Sequence, residues 1–253
     1  MRHHHKKYKA FISSDWNECL APCGPFDFIS FNYPHLTAKL ETIFKQYTGN
    51  IISLGEATRQ IQQLLPARIT PKQMDVYLDE AFTTYKGVPE LITWCQRHHI
   101  LFMINTTGMI GYFQRIFAKN LLPRVPLLSA HPMIRYRGAG TDPGKIYDLL
   151  EVTDKGKNTA AVMHSHNIAP DKLIVMGDSG GDGPHFEWGA GIDAFLIANM
   201  SKPSLKKYCE QKGIRIDMQF GRSYTEGEAK DLRKEMRVDF MDLVSIIEEF
   251  SEG

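Results

Sequence analysis

Three stretches of the 253-residue chain place acids or hydroxyls directly behind an apolar run. FISSDWNECL offers Asp15 and, two positions on, Asn17; ILFMINTTG offers Thr106, Thr107 and Gly108; KLIVMGDSGGDG offers Asp178 and Asp182. Carboxylates that converge raise each other's cost of ionisation unless a cation intervenes. Magnesium is the natural one, because it prefers oxygen ligands and usually bridges to a substrate phosphate. The hydroxyls and backbone N–H groups of Thr106, Thr107 and Gly108, where a strand is expected to run into a helix, suit an anion. A lysine is also needed to neutralise phosphoryl oxygens. Lys157, opening the stretch GKNTAAVM, is the first candidate and Lys155 the second.

These residues must be carried by strands. YKAFIS (8–13) reads as a short buried strand ending at Asp15, ILFMIN (100–105) as a second and KLIVMGD (172–178) as a third. PLLSA, MIRYR (133–137), DAFLIAN (193–199) and IRIDM supply further strand candidates. Helical spacing fills the gaps: KGVPELITWCQRHH, GMIGYFQRIFAKN, GKNTAAVMHSHN, the segment 204–212, and a last amphipathic helix carrying Val238, Met241, Val244 and Ile247. Strands that are apolar throughout, alternating with helices, predict an α/β fold: a Rossmann-like, mostly parallel sheet flanked by helices. In such sheets ligands sit beyond the carboxyl ends of the strands. From Pro25 to about Thr84 only helical patterns occur, including GEATRQIQQLL and a helix opened by Pro71. That segment predicts a small helical cap over 21–85, inserted after the first strand, with 1–20 and 86–253 forming the core.

Bulk properties narrow the classes. A net charge of +1 argues against nucleic-acid or membrane-surface binding. Cys19, Cys23, Cys95 and Cys209 are too few and scattered for a disulfide scaffold. No apolar run approaches the roughly 18 residues of a membrane span. A reduced, cytoplasmic protein acting on a small phosphorylated substrate is the expectation, with the oligomeric state open. The histidines at 3–5 are set aside, and the basic runs KKYK and KPSLKK read as solvated lysines.

The order of these motifs resembles the haloacid dehalogenase-like superfamily, whose members are mostly magnesium-dependent phosphatases. FISSDWNECL is similar to its first motif, FMINTTG to its second, GKN to its lysine motif and VMGDSGGD to its fourth. The helical insertion followed by YKGVPELITWCQRHHI resembles the capped branch that includes phosphoserine phosphatase. The resemblance implies that Asp15 attacks phosphorus and becomes an aspartyl-phosphate. Asp178 and the backbone carbonyl of Asn17 would join Asp15 around magnesium, with Asp182 orienting or coordinating. Thr106 would hold a phosphoryl oxygen and Lys157 would neutralise charge.

The chain departs from that pattern at Asn17, where family phosphatases carry an aspartate that moves a proton, and at Cys19, which replaces a threonine. An amide donates a hydrogen bond but shuttles no proton. Loss of general acid–base catalysis costs typically about 10²–10⁴ in rate, which substrates with good leaving groups suffer least. The alternative reading is a degenerate phosphate- or magnesium-binding protein with a regulatory or partner-binding role and little turnover. RGAGTDPGK (137–145) is not a P-loop, because Gly140 and Gly144 lie too close and Ile146 follows Lys145. Trp16 is expected to pack rather than react, and His185 to lie near the fourth motif.

Overall fold

The computed structural model describes residues 8–49, 51–137 and 142–252. The histidines at 3–5, the start of KKYK and most of RGAG lie outside the described residues. Seven parallel strands form one sheet in the order β4-β3-β2-β1-β5-β6-β7. They are β1 (Ala10–Ser14), β2 (Ile100–Met109), β3 (Leu127–His131), β4 (Lys145–Asp148), β5 (Leu173–Gly177), β6 (Phe195–Ser201) and β7 (Met218–Ser223). The residues of β1, β3 and β5 are buried throughout, as a sheet covered on both faces requires. The chain leaves β1 for β2 on one side and returns to β5 on the other. The switch in strand direction therefore falls at the carboxyl end of β1, where open α/β sheets form their crevice.

Between β1 and α5 (Val88–Arg97) lie four helices: α1 (Asp27–Asn32), α2 (Thr37–Thr48), α3 (Leu54–Leu64) and α4 (Pro71–Ala81). Two of them have a clear local start signal. Ser53 accepts from Glu56 N at the start of α3. Thr70 and Gln73 form a capping box around Pro71 at the start of α4. The remaining helices are α6 (Ile110–Ala118), α7 (Asp154–His166), α8 (Gly183–Ala190), α9 (Pro203–Lys212), α10 (Leu232–Glu235) and α11 (Leu243–Glu252). No described helix is long and apolar enough to cross a membrane.

The inserted helices are tied to the sheet layer by ion pairs, a helix cap and aromatic packing. Arg115 of α6 makes a forked pair with Asp75 of α4 at 2.7 and 2.9 Å, and Lys119 meets Asp79 at 2.8 Å. Glu151, just before α7, accepts from Leu54 N and Gly55 N, both at 3.1 Å. Its carboxylate thus caps α3, whose first N–H groups carry the positive end of the helix dipole. Phe28 packs against Tyr77 and Tyr112, so the insert's aromatic residues belong largely to its core rather than to an entrance.

Three sequence expectations shift. MIRYR is not a strand; the fourth strand is KIYD (145–148), a half-exposed edge with too little apolar character to be read in advance. IRIDM only leads into β7, which begins at Met218. The last helix starts at Leu243, after a 3-10 turn over Phe240–Asp242, so Val238 and Met241 precede it.

Replacing Glu151 with Ala removes two charge-assisted bonds between the sheet layer and α3. Glu151→Ala should lower stability by about 1–3 kcal/mol, measured as a shift in urea midpoint, with faster proteolysis confined to the inserted helices.

Candidate active site

Adjacent strand ends bring the acids together. Ser14 of β1 lies beside Met176 of β5 and Ile104 of β2, and Asp15 N donates to Met176 O at 3.0 Å. Asp15 and Asp178 therefore leave neighbouring strands side by side. Asp182 returns through the 3-10 turn Gly180–Asp182, and its side chain packs over Gly177, where an added Cβ would stand 2.6 Å from it. Oxygens of Asp15, Asp178 and Asp182 all fall within 4.8 Å of one another, and all three residues are buried.

Lys155, the second residue of α7, reaches into this cluster. Its Nζ donates to Asp15 Oδ1 at 2.8 Å and to Asp182 Oδ1 at 2.5 Å. The helix start that aims it is anchored from below: Asn105 Nδ2 donates to Lys155 O at 3.0 Å and to Ser13 Oγ at 3.0 Å. Lys157, two residues on, faces the other way, because two helical steps rotate a side chain by about 200°. Its side chain is 71% exposed and pairs with Asp154, whereas that of Lys155 is 2% exposed. The lysine among the carboxylates is thus Lys155 and not Lys157.

The second motif is also rearranged. β2 continues to Met109, so Thr106, Thr107 and Gly108 stand on the strand rather than at a helix start. Gly108 N donates to Thr106 Oγ1 at 3.1 Å, which donates to Asn17 Oδ1 at 3.0 Å. Asn17 Nδ2 in turn donates to Cys23 O at 3.2 Å. Thr106 and the Gly108 amide are therefore consumed in a relay that ends on the linker to the insert. Thr107, by contrast, lines the cleft with Asp15, Asn17, Lys155, Asp178 and Asp182. Tyr47 of α2 lines the same cleft. The free volume left in the cleft is about 30 Å³.

Glu18, Tyr47 and Lys202 are among the cleft residues not singled out from the sequence. Lys202 Nζ lies 2.5 Å from Glu18 Oε2 and 2.9 Å from Asp178 Oδ2, and Lys230 Nζ lies 2.8 Å from Glu18 Oε1. Lys202 follows the apolar strand β6 directly, the same signal that marked Asp15 and Asp178, but it was read as part of a solvated basic run. Glu18 holds a left-handed φ of 60°, a conformation that costs a non-glycine residue about 1–2 kcal/mol.

Burial sets the electrostatics. Asp15 is pushed up to about 6, by desolvation first and Asp182 next, against the pull of Lys155. Asp178 lies well above the usual carboxylate range for the same reason, against the pull of Lys202. Asp182 differs: despite burial, Lys155 and the N–H groups of Asp178 and Ser179 hold it below that range. Both oxygens of Asp182 are thus occupied, at 2.5 Å from Lys155 and at 3.0 and 3.2 Å from the two N–H groups. Lys155 is driven upward by Asp15 and Asp182 despite burial, and stays charged. Three buried carboxylates whose oxygens lie within 4.8 Å of one another fit a divalent cation such as magnesium, with Lys155 and Lys202 as the ammonium groups already beside them. His185 sits beneath the site, bonded to Thr159 at 3.1 Å and lowered to about 3, by burial first and then by Lys155. It is a neutral core residue, and the fully buried Trp16 packs on Phe113.

No protein-family model matches the sequence, and no curated protein matches it. Solved structures do match. A phospho-aspartyl intermediate analogue of phosphoserine phosphatase superposes at a TM-score of 0.67 with 17% identity, covering 95% of this chain and all of the other. A had family hydrolase from Salmonella enterica serovar Typhi superposes at 0.67 with 17% identity, over 96% of this chain and 72% of the other. A hydrolase from Pseudomonas syringae gives 0.54 with 14% identity, over 95% and 98%. At these identities the likeness is one of fold: the chain has the haloacid dehalogenase-like α/β fold of the phosphoserine phosphatase type.

Removing Lys155 strands two buried carboxylates. Lys155→Met should destabilise by about 3–5 kcal/mol and Lys157→Met by less than about 0.5 kcal/mol, both measured by urea unfolding in chelator. The pH dependence has a defined sign. A carboxyl raised from 3.8 to about 6 on folding favours the folded state below about pH 4, and that contribution is lost as pH rises through about 6. In chelator, the stability of the wild type relative to Asp15→Asn should therefore fall between about pH 4 and 6, by up to about 3 kcal/mol.

Proposed function

We propose that the chain is a magnesium-dependent phosphohydrolase that acts on a small phosphorylated metabolite through an aspartyl-phosphate on Asp15. The observation that carries this reading is the convergence of Asp15, Asp178 and Asp182 within 4.8 Å at the strand switch point, with Lys155 between them. Asp15 is the nucleophile: a carboxylate oxygen bonds to phosphorus as the ester P–O bond breaks. Water then attacks the same phosphorus, returning the Asp15 carboxylate and releasing inorganic phosphate.

Lys155 holds Asp15 in place and offers positive charge to the phosphoryl oxygens. Thr107, on the lip of the cleft, is the hydroxyl placed to hold one of them. Asp15, Asp178 and the Asn17 carbonyl would hold magnesium, while Asp182, already saturated, orients Lys155. Bound there, magnesium would neutralise the paired carboxylates and the incoming phosphoryl group. Residues 21–85 would form a cap over a core made of 1–20 and 86–253. The cleft itself is narrow, about 30 Å³, little more than a water molecule's share of space. Four unpaired cysteines suit a reducing, cytoplasmic setting.

Asn17 supplies no proton to the leaving oxygen, which must take one from water. Phosphate release from acetyl phosphate and para-nitrophenyl phosphate should require magnesium and vanish in Asp15→Ala. These substrates should outpace simple alkyl phosphates by at least about 10²–10⁴, measured as kcat/KM across a leaving-group series. Magnesium-independent release, or full activity in Asp15→Ala, would refute the assignment.

A further inference from the structure

The reading above leaves Lys202 without a task. Among the described residues its ammonium is the sole partner of the Asp178 carboxylate, at 2.9 Å from Oδ2. It is also in contact with a second acceptor, Glu18 Oε2, at 2.5 Å. Glu18 is no casual neighbour, since its left-handed backbone presents it to Lys202 and Lys230 together. The backbone of Lys202 is fixed by a 2.7 Å bond from its N–H to Asp178 O, while its side chain is 31% exposed and its ammonium touches both carboxylates.

Asp15 and Asp182 share Lys155, so Asp178 is the acid whose charge balance depends on Lys202. A divalent ion and an ammonium on one carboxylate repel each other, and the repulsion is strong where water is excluded. Glu18 offers the displaced ammonium a seat that costs no exposed charge. We propose that Lys202 is a tethered counter-ion of the metal site. It neutralises Asp178 in the metal-free chain and passes to Glu18 when a divalent ion takes Asp178, so that this pair sets metal affinity. The proposal rests on the metal reading of the site but not on turnover.

The test is equilibrium binding of manganese to the whole chain, followed by the electron-spin signal of the free ion, without substrate. Lys202→Met and Lys202→Gln should each bind about tenfold tighter than the wild type, because the competitor is gone. Glu18→Gln should bind several-fold weaker, and that weakening should shrink when combined with Lys202→Met, because Glu18 acts mainly through Lys202. Circular dichroism in chelator confirms that each variant is folded, and the two Lys202 replacements guard against one misfolding. Equal or weaker binding by both Lys202 variants overturns the proposal while leaving the phosphohydrolase reading standing. Absence of binding by every protein overturns both. Loss of para-nitrophenyl phosphate turnover with the affinity pattern intact refutes only the catalytic reading.

Discussion

Everything at the carboxyl edge of the sheet depends on two ammonium groups held among four carboxylates. Lys155 joins Asp15 to Asp182, and Lys202 joins Asp178 to Glu18. Ionised carboxylates this close and this buried would otherwise repel and resist charging. The lysines make the cluster tolerable, yet Asp15 and Asp178 still lie above their usual range. Burial is the first cause, and the lysines offset it only in part. The same folding that brings the strand ends together therefore creates a need that the chain itself only partly meets.

The roles of the acids separate by hydrogen bonding rather than by sequence. Asp182 is held by two N–H groups and a lysine and is the easiest to ionise. Asp178 has a single ionic partner and is the most exposed to competition for its charge. Asp15 stands between, with one oxygen on Lys155. Three residues of one type thus differ in bonding and in ease of ionisation through their surroundings alone.

Where chemistry follows a buried strand, the sequence was legible. Asp15, Asp178 and Asp182 stand where apolar runs stop, and parallel pairing then dictates that they meet. The inserted helices were legible too, because caps such as Thr70–Pro71–Gln73 are local signals. What failed required knowing a rotation or a neighbour. Choosing between Lys155 and Lys157 needed the first residue of α7, and two residues of error turn a side chain to the opposite face. Thr106 and Thr107 alternate on a strand that ran four residues further than its apolar core, so the cleft received the other one. Strand β4 is a polar edge that only its partner β3 reveals. Lys202 and Glu18 are recognisable only as a pair 184 positions apart.

Asn17 is better understood through its bonds than through what it lacks. The relay from Gly108 N to Thr106 to Asn17 to Cys23 O runs in one direction, and its last step needs a donor. A neutral amide supplies an acceptor and a donor at once; an ionised carboxylate would set its oxygen against the Cys23 carbonyl. The amide therefore ties β2 to the linker through which the chain enters the helical insert. A proton shuttle at this position would have to give up that tie at neutral pH.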